Sequence, residues 1–215
     1  MDTNIGYWER VLRAPTPAYR QLFEAERSFL LMHIQPGDKV LDIGCGDGRN
    51  MQTILERTGL VTGVDNDAVA VQEAAHHFSN LPTVKVVLGE ASSLPFGEGV
   101  FDVVSFLMIL PNLDTQKARA MSEASRVLTK DGSIILSTFA ETAFEERMEI
   151  YKKVKVPIER IEGTRFYFSK SLGANTSEQF SLTEIGQLAA DAGLQLVESE
   201  KVGSLAYICR LTKMG

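Results

Sequence analysis

Cysteine is scarce in this chain: Cys45 and Cys209 are the only two, too few for a disulfide framework or a zinc site. Histidine numbers three, and His76-His77 have no metal-ligand partner at a known spacing, so no metal is expected. No apolar run is long enough to cross a bilayer; the longest, around Val103 to Leu110, is broken by Ser105. The N-terminal Met1-Asp2-Thr3-Asn4 lacks the basic and apolar regions of a signal peptide. A cytoplasmic protein with no membrane partner is therefore expected. Positive charge is in deficit, with Lys+Arg 22 against Asp+Glu 28 and a net charge of −6, which argues against a nucleic-acid partner. There is no internal repeat and no low-complexity tract. What is present, 215 residues with 44% hydrophobic and 23% charged, is the composition of one ordinary globular domain, as a monomer or homodimer.

The first 36 residues read as a helical cap. Tyr19, Leu22, Phe23, Glu26, Phe29, Leu30 and His33 fall at helical spacing, between Pro15 and Pro17 on one side and Pro36-Gly37 on the other. From residue 37 onward, short runs rich in Val, Ile, Leu and Phe at 39–43, 60–64, 84–88, 101–107 and 133–139 predict strands buried on both faces of a parallel sheet. Helix-forming segments at 49–57, 67–78 and 115–128 lie between them. This alternation predicts a doubly wound α/β fold. Residues 141–180 mix charge with aromatics, and read as a helix over 141–155 followed by an irregular excursion. A helix over 183–192, capped by Ser181 or Thr183 and stopped by Gly193, then precedes two closely joined strands at 195–199 and 205–211. Strands so close in sequence pair most easily antiparallel, which makes the sheet mixed at that edge.

The strongest local signal is Val40-Leu41-Asp42-Ile43-Gly44-Cys45-Gly46-Asp47-Gly48. A buried strand runs into glycines at alternate positions, which let the chain turn sharply and a ligand approach the backbone. The first βα turn of an open sheet is where such folds bind nucleotide-like ligands. Arg49 stands where a dinucleotide fingerprint needs its third glycine, and no Gly-Lys-Ser/Thr follows, so neither that fingerprint nor a P-loop is present. Asp65 ends the second strand, where a carboxylate can accept from both hydroxyls of a ribose. Glu90-Ala91 closes the third, where Glu90 could accept from an exocyclic amine.

In order and spacing, VLDIGCGDG, GVD at 63–65, GEASSLPFGEGVFDVV at 89–104, SEASRVLTKDGSIILSTF at 122–139 and FSLTEIGQLAADAGLQLVE at 180–198 resemble a class I S-adenosylmethionine (SAM)-dependent methyltransferase, of the small type-11/25-like kind. The resemblance implies a Rossmann-like, seven-stranded mixed sheet of order 3-2-1-4-5-7-6 with strand 7 antiparallel. It also implies N-terminal helices acting as a lid over a SAM-binding domain at 37–215, and a substrate-cap excursion at about 141–180. By the same resemblance Asp42, Gly44, Cys45 and Gly46 surround the methionine end of SAM. Asp65 holds the ribose, Asn66, Glu90 and Ala91 meet the adenine, and Leu107 and Met108 border the sulfonium.

The departures are informative. The histidine that many relatives carry after the fourth strand is replaced by Leu110-Pro111-Asn112-Leu113, so no catalytic base is assigned. There is no Asn/Asp-Pro-Pro-aromatic box, which disfavours amino-group methylation of adenine, cytosine or glutamine. A small-molecule acceptor is expected beneath residues 1–35 and 141–180. Tyr7, Trp8 and Tyr19 are candidate contacts in the first segment, Arg165 and Tyr167 in the second, where an aromatic or carboxylate-bearing acceptor could be gripped. The alternatives are a non-catalytic SAM-binding regulatory or partner module, and a nicotinamide-dependent oxidoreductase, disfavoured by Arg49.

Overall fold

The structure is a computed structural model and describes residues 10–11, 13–169 and 176–215. Helix α1 (Pro17–His33) starts on the Thr16 hydroxyl and a favourable proline at its first position. Then follow β1 (Lys39–Ile43), α2 (Arg49–Ile54), β2 (Leu60–Asp65), α3 (Ala68–His77), β3 (Lys85–Leu88) and β4 (Phe101–Leu107). Two short 3₁₀ turns lead to α4 (Lys117–Val127), β5 (Leu128–Phe139) and α5 (Phe144–Lys153). The chain closes with β6 (Ile158–Glu162), β7 (Arg165–Phe168), β8 (Thr176–Ser177), α6 (Leu182–Asp191), β9 (Leu194–Val202) and β10 (Ala206–Lys213).

The main sheet has seven strands in the order β3-β2-β1-β4-β5-β10-β9, with β10 antiparallel to both its neighbours. This is the expected order, β9 and β10 taking the places of the sixth and seventh strands. Alternate residues of each strand feed opposite cores, as the two-residue period of a strand requires. Val40, Val61, Val103, Ile135 and Ile208 pack with α1, α2 and α5 on one face. Leu41, Val64, Val104, Ile134 and Cys209 pack with α4 and α6 on the other. Burial on both faces explains why the central strands read as continuous apolar runs. Helix α6 begins with a reciprocal capping box, in which Ser181 and Glu184 satisfy each other's backbone N–H groups.

One expectation is corrected. The stretch after α5 is not irregular: β6, β7 and β8 form a three-stranded antiparallel sheet, with Gly163-Thr164 as a two-residue turn between Glu162 and Arg165. Strand β6 is exposed along most of its length and carries charge on both faces, so it lacks the alternation that marks a half-buried strand. The small sheet is pinned by Arg147 of α5, which is 0% exposed. Its guanidinium donates to Tyr151 Oη, the Thr164 and Ser177 carbonyls and Gln179 Oε1. Its flat faces lie 4.4 Å from the Phe139 ring centroid and 4.3 Å from that of Phe166. One side chain thus ties β5 and α5 to the cap.

Candidate functional site

The strand order reverses at β1, between β2 and β4, and the glycine loop leaves the carboxyl end of β1 there. Gly44 and Cys45 donate their N–H groups to the Val64 carbonyl at 2.7 and 3.1 Å, which clamps the loop to β2. Gly44 and Gly46 have φ of 73° and 55°, in the left-handed region. A Cβ on Gly44 would strike the Ile109 side chain, whereas one on Gly46 would meet nothing within 4 Å. The open face of the loop is therefore at Gly46. Cys45 points the other way, its sulfur lying where a Cβ on Gly63 would go, and burial pushes its thiol up, away from thiolate chemistry.

Asp42 is 1% exposed, and neither carboxylate oxygen has a hydrogen-bond partner. Burial pushes its pKa up to about 7; the nearby Ser105 hydroxyl and Arg49 pull the other way, and the charges of Asp65 and Glu26 add to the rise. An orphaned, buried carboxylate at a strand end is costly unless something cationic meets it. Asp65 is less buried and fully engaged with backbone: Oδ2 accepts from the Gly46 N–H at 2.8 Å, and Oδ1 from the Asp67 N–H at 2.9 Å. Asp67 in turn caps α3. Beside it, Asn66 Nδ2 donates to Glu90 Oε2 at 3.3 Å, and both side chains are exposed. Ala91 is half-buried against the second core.

Leu107 ends β4, and Met108 follows at φ 56°, held there because its N–H donates to the Ser137 carbonyl and hydroxyl, each at 3.0 Å. The expected site residues on β1, β2 and β4 thus converge on the switch point, with Asn66, Glu90 and Ala91 flanking it at the ends of β2 and β3. Tyr19 is 0% exposed and packs edge-on against Phe23 and Phe139. Arg165 reaches the loop after β4, but its charge is matched by Glu178 at 2.8 Å and Asp114 at 3.6 Å, with Lys117 also clasping Glu178. Tyr167 stays within the cap sheet, donating to Glu162 and lying under the Arg160 guanidinium. Tyr7 and Trp8 lie outside the described residues.

Two residues were not expected here. Glu26 of α1 is 1% exposed and accepts from Ser137 Oγ at 2.6 Å and from Arg49 Nη2 at 3.3 Å. Arg49, which breaks the dinucleotide fingerprint, is the cation of that pair and stacks 4.6 Å over Phe23. The available signal was a carboxylate in the middle of an apolar helix face. Among the described residues no cluster of His, Cys, Asp and Glu could hold a metal ion, and no helix is long and apolar enough to cross a membrane. Two open grooves of about 550 and 300 Å3 lie at the amino ends of the parallel strands, lined by Glu98, Arg126 and Lys213 and by His33, Asp102 and Asp131, away from this cluster.

Residues 40–132 match the family model described as a methyltransferase domain. Over that stretch the chain is similar to a methyltransferase domain, and its seven-stranded mixed sheet is the Rossmann-like fold of solved SAM-dependent methyltransferases. It is 31% identical over 133 residues to a demethylmenaquinone methyltransferase of Staphylococcus aureus, an alignment covering 59% of this chain and 55% of that protein. It is 33% identical over 105 residues to an uncharacterized 37.1 kDa protein in a transposon of Streptomyces fradiae, covering 47% of this chain and 30% of that one. The chain thus spans about a third to a half of the length of these curated relatives. Among solved structures, the Burkholderia thailandensis 1,6-didemethyltoxoflavin-N1-methyltransferase, with 1,6-didemethyltoxoflavin and S-adenosylhomocysteine (SAH) bound, superposes with a TM-score of 0.70 at 20% identity, covering 96% of this chain and 82% of that one.

Proposed function

We propose that this protein transfers a methyl group from SAM to a small-molecule acceptor. The observation that carries the reading is the buried, unpartnered Asp42 carboxylate beside the open face of Gly46, at the switch point. The residues fit the cofactor. Asp42 would take the ammonium of the methionine end, and Gly46 would let the ligand lie against backbone. Asp65 has lone pairs left for ribose hydroxyls after its two backbone bonds. Asn66 and Glu90 would meet the adenine, while Leu107 and Met108 would border the sulfonium. When bound, SAM supplies an electrophilic methyl group whose transfer leaves a neutral thioether. The chain's work is alignment and exclusion of water: α1, α5 and the β6–β8 sheet cover the carboxyl ends of β4 and β5. The acidic net charge and the small-molecule methyltransferase of the same fold support a small acceptor over a nucleic acid.

Calorimetric titration with SAM, SAH and NAD tests the cofactor. Binding of both sulfur compounds and none of NAD is expected, and NAD binding alone would overturn the reading. Asp65→Ala should weaken SAM binding by about 1–3 kcal/mol, because a charged acceptor of two hydroxyls is lost. Product formation across an acceptor panel then separates an enzyme from a silent SAM-binding module.

A further inference from the structure

Glu26 is buried in the middle of α1, among inward residues that are otherwise apolar or aromatic: Tyr19, Leu22, Phe29 and Leu30. Its ion pair is one-sided, a 1% exposed carboxylate against a 37% exposed guanidinium at 3.3 Å. Its other oxygen accepts from Ser137 Oγ, and that hydroxyl accepts from the Met108 N–H. One side-chain hydroxyl therefore separates the Glu26 carboxylate from the residue expected to border the sulfonium. Asp42, close enough for its own ionisation to feel Glu26, is a second buried carboxylate, with both oxygens orphaned. Burial raises the pKa of both groups, so each is held as a carboxylate most readily when a cation meets it, and the half-exposed Arg49 is the one cation paired with either among the described residues. The cluster is short of positive charge at the place where the cofactor reading puts a cation.

We propose that Glu26, delivered by the N-terminal helix, is a selectivity residue of the cofactor site, favouring the cationic sulfonium of SAM over the neutral thioether of SAH. The inference rests on the SAM reading. The Coulomb attraction between unit charges falls only as the inverse of their separation, so in surroundings of intermediate dielectric a carboxylate beyond contact range of a cation still changes affinity about tenfold or more. Discharging the neutral product would be favoured by the same charge that holds the donor.

The test is calorimetric titration of SAM, SAH and sinefungin, the SAM analogue with an ammonium in place of the sulfonium, into wild type and Glu26→Gln. Glutamine keeps the shape and can still accept from Ser137. The expected result is about a tenfold loss for SAM and sinefungin, with SAH unchanged within about twofold. Equal losses for all three ligands would make Glu26 merely structural, and no loss would remove it from the site; either result overturns the inference alone. If the variant does not fold, Arg49→Met serves instead: it removes the cation that offsets Glu26 and should raise the preference for SAM over SAH, and an unchanged preference overturns the proposal. A wild type that binds none of the three overturns the cofactor reading and this inference together.

Discussion

Alanine at Gly46 separates ligand approach from loop conformation. Gly44 and Gly46 both occupy left-handed backbone, at φ 73° and 55°. An L-residue there costs about 1–2 kcal/mol, and the stiffer unfolded chain returns about 0.4–1 kcal/mol. The net is about 1 kcal/mol at each site. At Gly44 the new methyl also drives into Ile109, which adds about 1–3 kcal/mol of overpacking. At Gly46 nothing lies within 4 Å of an added Cβ. Gly46→Ala should therefore lower Tm by only about 2–4 °C in a chain of this size, with Gly44→Ala falling two to four times as far. The order reverses when cofactor loss is compared with stability loss. The Gly46 methyl occupies the space assigned to SAM, and should cost at least about tenfold in affinity, ~1.4 kcal/mol. Scanning calorimetry and SAM titration on both variants measure the two quantities. Unchanged affinity in Gly46→Ala would mean that the ligand does not lie against this backbone. A Tm loss as large as that of Gly44→Ala would mean that the space is not open.

Two further perturbations reach other parts of the molecule. Asp42 has a folded pKa of about 7 against the ordinary aspartate value of 3.8, so its contribution to stability is fully present below pH ~4 and lost as pH rises through 7. Unfolding of the ligand-free protein by urea should show roughly 4 kcal/mol less stability at pH 8 than at pH 4 from this group, and Asp42→Asn should flatten that slope. A slope unchanged in Asp42→Asn would place the titration elsewhere. SAM affinity of the wild type should rise over the same pH window, because the ammonium needs the ionised form. Arg147→Met leaves Gln179 Oε1 and the Thr164 and Ser177 carbonyls buried without their donor, at an expected cost of about 3–5 kcal/mol in urea unfolding. A cost below about 1 kcal/mol would show that the aromatic rings alone hold the cap.

Strands β1 and β4 were readable to the residue, because burial on both faces makes each a continuous apolar run and the glycine loop and Met108 turn end them abruptly. The strand order is a different matter: periodicity supports a doubly wound sheet, and only the resemblance to a family supplied 3-2-1-4-5-7-6. The cap sheet was opaque because β6 and β8 bury little or are very short, and the Gly163-Thr164 turn was the only local sign of a hairpin. The candidate site divides along the same line. Asp42, Asp65 and the glycines lie at strand ends, so the pattern that locates the strands also locates them. Glu26 is held by Ser137, 111 residues away in sequence, and no local pattern can record that pairing. What the sequence does record is the anomaly itself, a carboxylate on the apolar face of an amphipathic helix. Arg49 was visible in the same negative way, as the residue that spoils a dinucleotide loop. Joined at 3.3 Å, they turn two local misfits into one electrostatic feature at the mouth of the switch point. A buried charge that breaks a helix's pattern must be paired with a distant group or with a ligand, and here Ser137 and Arg49 satisfy its hydrogen bonds without cancelling the charge it shares with Asp42.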